Sequence, residues 1–374
     1  MRRRWFSAPL MGGTSILVGL AIGLSVPAMA TNVPKRAIVH RHLAGGFPHM
    51  SHVFVIMMEN TSYNDLLNPS NANTTYIQSI ANTYGLATDY SGVTHTSLPN
   101  YVAVSSGSTW GSNADDESQA DQGYFNHLSL FDQLSQAGLS WRGYMESMPS
   151  AGYTGNSTTD GLYVRKHNPF MQYPDIFNNP AVADNVVPLT QLTHDLNTGK
   201  VADFNWITPN ICNDMHGGAP SCPYPDTPTD ANQMALYQDG NNFLQTWVTA
   251  IMGSKAWTGN SAIFITWDEG GYGDDPPYGP LDNTGCCDSP NLPATPANPT
   301  TGGGGDLVGG TQYAGGHVPM IVIGRNAEPG LTDSAPLNHY SLLQTIEQNW
   351  NLPFLGNASD TLQVQSLAPL LAHH

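Results

Sequence analysis

The sequence predicts an α/β domain: a central, mostly parallel sheet with helices on both faces. Three observations carry this expectation. Short apolar runs recur along the 374 residues, stretches with helical periodicity separate them, and polar residues follow the runs abruptly. Alternating strand and helix patterns imply parallel strands joined by crossover helices.

Taken in chain order, Val53 to Met58 reads as a buried strand that stops at Glu59-Asn60. Pro99 suits the first turn of a helix running to about Ser106, with Gly107 as its stop. A helix is predicted over Leu128 to Ala137, ended by Gly138, and a weaker strand over Leu139 to Met145. Phe204 to Thr208 is the next strand, Gln233 to Met252 a long helix, and Ala262 to Trp267 a strand that stops at Asp268-Glu269. Val318 to Ile323 and then Tyr340 to Trp350 complete the pattern as strand and helix. Residues 273–310 are rich in Pro and Gly and read as one long surface loop, a length that is usually functional or disordered.

Arg2 to Arg4, an apolar stretch from Ser15 to Val26 and then Ala28-Met29-Ala30 form a secretory signal with cleavage expected near Ala30. The apolar stretch is short and Gly-rich, so no stable membrane span is expected, and a secreted or periplasmic protein is. Residues 31–374 then form a single domain. Removing three arginines takes the formal charge from -17 to -20, which argues against nucleic acid as a partner.

Four cysteines in an exported chain point to disulfides. Cys212 and Cys222 would close a short loop around Asp214 and His216, whereas the adjacent Cys286 and Cys287 could pair with each other or elsewhere.

In an open parallel sheet the ligand crevice lies at the carboxyl ends of the strands. Three of the predicted strands deliver polar sets there: Glu59-Asn60, then Asp214-x-His216 beyond Pro209-Asn210, then Asp268-Glu269. Carboxylates gathered at one edge need a cation to offset their repulsion. Ser97 sits at or just before a helix N-terminus, where free N–H groups favour an anion.

The segments IMMENTSYNDLL, TSLPNY, SWRGYMESMP, YVRKHNPF, PNICNDMH, ITWDEGG and GGHVPMIVIG, in that order, resemble the secreted bacterial phosphoesterase family of acid phosphatases and phospholipases C. That family belongs to the alkaline phosphatase superfamily, and the likeness runs over about residues 50 to 355. It implies an alkaline-phosphatase-like sheet and a metal-dependent phosphomonoesterase acting through a phosphoserine. In this resemblance Ser97 is the nucleophile, with His216 and His317 as further catalytic residues. Glu59, Asn60, Asp268 and Glu269 hold one or two divalent ions (Zn, Ca, Mg or Mn), and His167, Lys166 and Asp214 bind substrate. His95 and His339 read as helix-end residues, and Tyr63 and Trp141 as core or rim. Asp268-Glu269 replaces the Asp-His of the superfamily's two-zinc members, which makes the site harder and removes an obligatory zinc. Small phosphorylated compounds or exposed lipid headgroups are the implied substrates. A phospholipase C or phosphodiesterase with the same core is the alternative, and an ion-stiffened binding module a more distant one. Such a module has no use for a serine facing the carboxylates.

Overall fold

In the computed structural model of the chain, residues 47, 49–112, 114–225, 230–271, 285–287 and 315–372 are described. The signal segment and all of the 273–310 loop except 285–287 lie outside them. The described residues fall within one compact unit, Arg41–His374.

The strands are β1 (Val53–Met58), β2 (Gly85–Ala87), β3 (Tyr90–Ser91), β4 (Trp141–Met145), β5 (Val186–Pro188), β6 (Phe204–Thr208), β7 (Ala262–Trp267), β8 (Met320–Gly324), β9 (Thr332–Asp333) and β10 (Leu337–Asn338). The α-helices are α1 (Tyr63–Leu66), α2 (Thr75–Thr83), α3 (Ser97–Ser106), α4 (Ser118–Asp121), α5 (Leu130–Gln136), α6 (Pro174–Phe177), α7 (Pro180–Ala183), α8 (Thr190–Thr198), α9 (Ala231–Met252) and α10 (His339–Asn349). The main sheet runs β5-β4-β6-β1-β7-β8-β2-β9, and β10 pairs with β3 in a second, two-stranded sheet.

Pairing is parallel from β5 through β7. The last long strand departs from the predicted direction, because β8 is antiparallel to both β7 and β2. It also starts at Met320 rather than Val318, since Pro319 has no N–H to give to a ladder.

Every residue of β1, β6 and β7 is buried, so both faces of the central strands are covered. Helices α2 and α9 pack together, and α3 packs on α10. Each fully buried Val, Ile, Phe or Met of these strands contributes roughly 2 kcal/mol.

Side-chain caps fix where the helices begin. Ser129 and Asp132 form a capping box on α5, Asp230 accepts from Gln233 N to start α9, and Asn338 accepts from Tyr340 N to start α10. Gly107 ends α3 in the left-handed region at φ 79°, against the Leu355 carbonyl.

Candidate active site

The ends of β1, β6 and β7 meet, as the strand-end pattern predicts. Glu59 N donates to Asp214 O at 2.8 Å, Asp268 N to Met58 O at 3.0 Å, and Asn60 N to Asp268 Oδ1 at 3.0 Å. Asn60 turns the chain out of β1 at φ 45°, a conformation that asparagine tolerates better than most residues. Gly271 lets the neighbouring strand end come close, because a Cβ there would meet Asn60 O at 2.9 Å.

Helix α3 faces this edge with its N-terminus. Ser97 Oγ donates to Glu59 Oε2 at 2.9 Å, and Tyr101, one turn on, donates from its hydroxyl to Glu59 Oε1 at 2.6 Å. The Pro-Asn after Ser97 has a structural meaning. Asn100 Oδ1 accepts from Val93 N and Thr94 N, while its Nδ2 donates to Thr94 O and Thr96 O, so one side chain clamps the loop that leads into Ser97.

A second group adjoins Glu59. His167 lies with Nε2 3.3 Å from Glu59 Oε1 and Nδ1 3.1 Å from Asp214 Oδ2. Asp214 Oδ1 accepts from His216 N at 2.8 Å. Lys166 Nζ stands 3.2 Å from His216 Nε2 and 2.6 Å from Asp115 Oδ2. An ammonium can only donate, so His216 accepts at Nε2 and carries its proton on Nδ1, which donates to Gly217 O at 2.8 Å. Asp115 Oδ1 accepts from Leu98 N, the amide next to Ser97, at 2.9 Å. The Cys212–Cys222 disulfide closes the loop that carries Asp214 and His216, and Cys286 is bonded to Cys287.

The electrostatics are those of too many buried acids. Burial, then the charges of Asp268 and Asp214, pushes the Glu59 carboxyl well above its usual range. Asp268 is pushed up to about 8 by burial and then by Glu269, and burial also raises Asp214. Burial and the Lys166 charge push His216 down to about 3, and burial lowers His167 as well. For Lys166, burial works to lower the pKa, but the Asp115 and Glu59 charges outweigh it and hold the ammonium charged.

Asp268 Oδ2, both side-chain polar atoms of Asn60 and Thr96 Oγ1 are buried with no hydrogen-bond partner. Leaving such atoms unpaired is costly, and an oxygen-rich set beside Glu59 fits a hard divalent cation. Among the described residues Glu59, His167 and His216 also form a possible metal site, their ligand atoms lying within 4.8 Å of one another.

Of the residues singled out from sequence, Glu59, Asn60, Ser97 and Asp268 are thus joined directly, and His167, Asp214, His216 and Lys166 form the adjoining group. Glu269 is in contact with His95, which lies just before the α3 N-terminus as read from the sequence and also belongs to this region. His317 stacks on Tyr63 at 4.3 Å, and its Nε2 lies 3.1 Å from Thr88 O. His339 opens α10, with Nε2 2.6 Å from Asp268 O and Nδ1 2.9 Å from Tyr90 OH. Trp141 lies in the aromatic core with Phe131 and Phe170.

Sequence reasoning missed Tyr101, Asn100 and Asp115. Tyr101 had a signal, the four-residue spacing from Ser97 on one helix. Asp115 had none, since it sits in an acidic stretch, Asp115-Asp116-Glu117, in which no residue stands out.

The phosphoesterase family model matches residues 68–353, about three quarters of the chain. A phosphate-repressible acid phosphatase of Penicillium chrysogenum is 26% identical over 274 residues, 72% of this chain and 53% of the fungal protein. This chain therefore spans about half the length of that relative. A phosphatidylinositol-3-phosphatase of Mycobacterium tuberculosis is 25% identical over 317 residues, 85% of this chain and 82% of that protein. Among solved structures, a phosphonate monoester hydrolase of Silicibacter pomeroyi superposes with a TM-score of 0.50 over 86% of this chain and 76% of its own, at 13% identity, a likeness of fold alone. By the extent of the family match, the chain belongs to the phosphoesterase family.

Proposed function

We infer that the chain is a metal-dependent phosphomonoesterase that works through a phosphoserine at Ser97. The observation that carries this reading is the Ser97 Oγ to Glu59 Oε2 hydrogen bond at the α3 N-terminus, beside the unpartnered Asp268 Oδ2 and Asn60 amide. A purely structural ion site needs the acids but not the serine. The relatives named as phosphatases support the same reaction class.

In the first step Ser97 Oγ attacks phosphorus in line, and the bond from phosphorus to the ester oxygen breaks. The hydroxyl proton passes to Glu59 Oε2, its hydrogen-bond partner; the ester oxygen leaves as the alcohol with a proton taken from solvent, and Glu59 releases its own to solvent. Lys166, held charged and little exposed, offsets the negative charge on the phosphoryl oxygens. Asn100 and Tyr101 keep the helix end and Glu59 in register, and His167 pairs through Nδ1 with Asp214 while its Nε2 faces Glu59. Water then cleaves the phosphoserine, which restores Ser97 and releases phosphate. A divalent cation held by Glu59, Asn60 and Asp268 would lower the pKa of a bound oxygen and offset the acidic charge; His216 could join Glu59 and His167 around an ion only by giving up its Lys166 hydrogen bond.

We place the protein outside the cytoplasm, on the strength of its two disulfides and of Ala28-Met29-Ala30 after an apolar stretch. No helix among the described residues is long and apolar enough to cross a membrane. N-terminal sequencing of exported protein should begin close to Thr31.

The test is turnover of p-nitrophenyl phosphate, bis-p-nitrophenyl phosphate and a phosphocholine ester by wild type and Ser97→Ala, each with and without chelator. The monoester should be preferred, chelation should abolish turnover, and Ser97→Ala should lose several orders of magnitude in rate while staying folded. Near-normal turnover in Ser97→Ala would reject the covalent mechanism. Preference for the diester would move the protein to the phosphodiesterases.

A further inference from the structure

A ladder of rings leads outward from Glu59. Tyr101 is stacked with His167 at 5.6 Å between centroids, His167 stands 5.1 Å from His216, and His216 stands 5.4 Å from Tyr224. The first three rings are buried, whereas Tyr224 is 55% exposed.

The local backbone is shaped to bring Tyr224 there. Gly218 N donates to Cys222 O at 2.7 Å and Cys222 N to Ala219 O at 3.0 Å, a tight turn inside the Cys212–Cys222 loop. Gly218 has φ 100°, which favours glycine, and a Cβ at that position would meet Tyr224 Cζ at 2.6 Å. The phenol ring is therefore packed on bare backbone at one place and on the His216 side at another. Burial raises the pKa of its hydroxyl, and the charges of Lys166, Asp115, Glu59 and Asp214 bear on it as well.

We propose that Tyr224 is a specificity-determining residue, an aromatic platform at the rim of the site that stacks the alcohol portion of a phosphomonoester whose group next to the phosphate is flat and apolar. This deepens the phosphatase reading and rests on it for the position of the phosphoryl group beside Lys166. An exposed aromatic face adjoining a charged, buried centre matches the two parts of such a substrate. The phosphoryl group meets the Lys166 ammonium, and the planar group meets the Tyr224 ring. Aryl phosphates are the simplest members of the class.

Phenylphosphonate and methylphosphonate share the anionic head and differ in the flat group, and neither is an ester that can be hydrolysed. Calorimetric titration of each into wild type, Tyr224→Phe and Tyr224→Ala reads the platform directly. Wild type and Tyr224→Phe should bind the phenyl compound roughly fivefold more tightly than the methyl one, and Tyr224→Ala should bind both alike. An unchanged preference in Tyr224→Ala would overturn the proposal. So would loss of the preference in Tyr224→Phe, which would assign it to the hydroxyl, and so would failure of wild type to bind either compound. Parallel turnover of phenyl phosphate and glycerol 2-phosphate separates this inference from the reaction on which it rests. An active enzyme whose aryl preference survives Tyr224→Ala sinks the platform alone. A wild type that binds the phenyl compound selectively but hydrolyses neither ester sinks the phosphatase reading and leaves the platform standing.

Discussion

Ser97 and Tyr101, one turn apart on α3, donate to the two oxygens of one carboxylate, Glu59. A single helix face thus fixes both the candidate nucleophile and the orientation of its neighbour. Glu59 is fully buried among other acids, so each donor it loses leaves a buried oxygen unsatisfied.

Tyr101→Phe keeps the ring that stacks on His167 and removes only the hydroxyl. It should cost about 1–2 kcal/mol of stability, because a buried carboxylate oxygen loses its donor. Turnover should fall by about tenfold as Glu59 loosens its hold on Ser97, by analogy with other positioning losses of modest free energy. Urea unfolding and phosphatase kinetics check the two effects, and wild-type values in both would show that the Tyr101 hydroxyl does not orient Glu59.

The Cys212–Cys222 bridge joins cysteines 10 positions apart and brackets Asp214 and His216. Replacing both cysteines with serine should lower stability by about 2–3 kcal/mol, the scale for short loops. Activity should fall further than the loss of folded protein explains, because Asp214 and His216 are held on that loop. Thermal melts with and without reductant test the first point, and equal midpoints would remove the bridge from the list of stabilising elements.

The strands nearest the site were legible because they are buried on both faces and read as uninterrupted apolar runs, which gave β1, β6 and β7 their observed ends. The reversed direction of β8 was not legible, since a buried strand has the same apolar pattern in either direction. Short strands such as β2 and β5, three residues each, fall below any periodicity signal. At the site, Glu59, Ser97 and Asp268 stood out because polar residues there break an apolar pattern. Asp115 did not, because its role comes from folding back onto Leu98 N and Lys166 across 17 and 51 positions.

Glu347 offers a pH effect away from the site. Burial pushes its carboxyl up to about 9 from the usual 4.5, against the opposing effect of the Leu355 N–H, and its Oε2 is buried without a hydrogen-bond partner. Below pH 4.5 the group is neutral folded or unfolded. Between 4.5 and 9 the unfolded chain sheds the proton while the native state keeps it, so this contribution to stability is lost as pH rises through that window. Its slope is at most about 1.4 kcal/mol per pH unit. Glu347→Gln should flatten the slope and stabilise the protein at pH 8 more than at pH 5. Parallel urea curves for both proteins at the two pH values would contradict this.

Asp115 binds Lys166 through one oxygen and Leu98 N through the other, so it ties the lysine to the amide beside Ser97. Burial works to raise its pKa, but the Lys166 charge and the Leu98 N–H outweigh it and keep the carboxylate charged. Half of this arrangement is an ion pair and half a helix-end hydrogen bond, and the two parts predict different outcomes. If Asp115 acts on the reaction by fixing a long, flexible ammonium, Asp115→Ala should lower kcat/KM by about tenfold, and Lys166→Ala by at least as much. The double variant should then be no worse than Lys166→Ala, since residues that act through one another are not additive. A double variant whose loss equals the product of the two single losses would mean that Asp115 acts through the α3 amide, independently of Lys166.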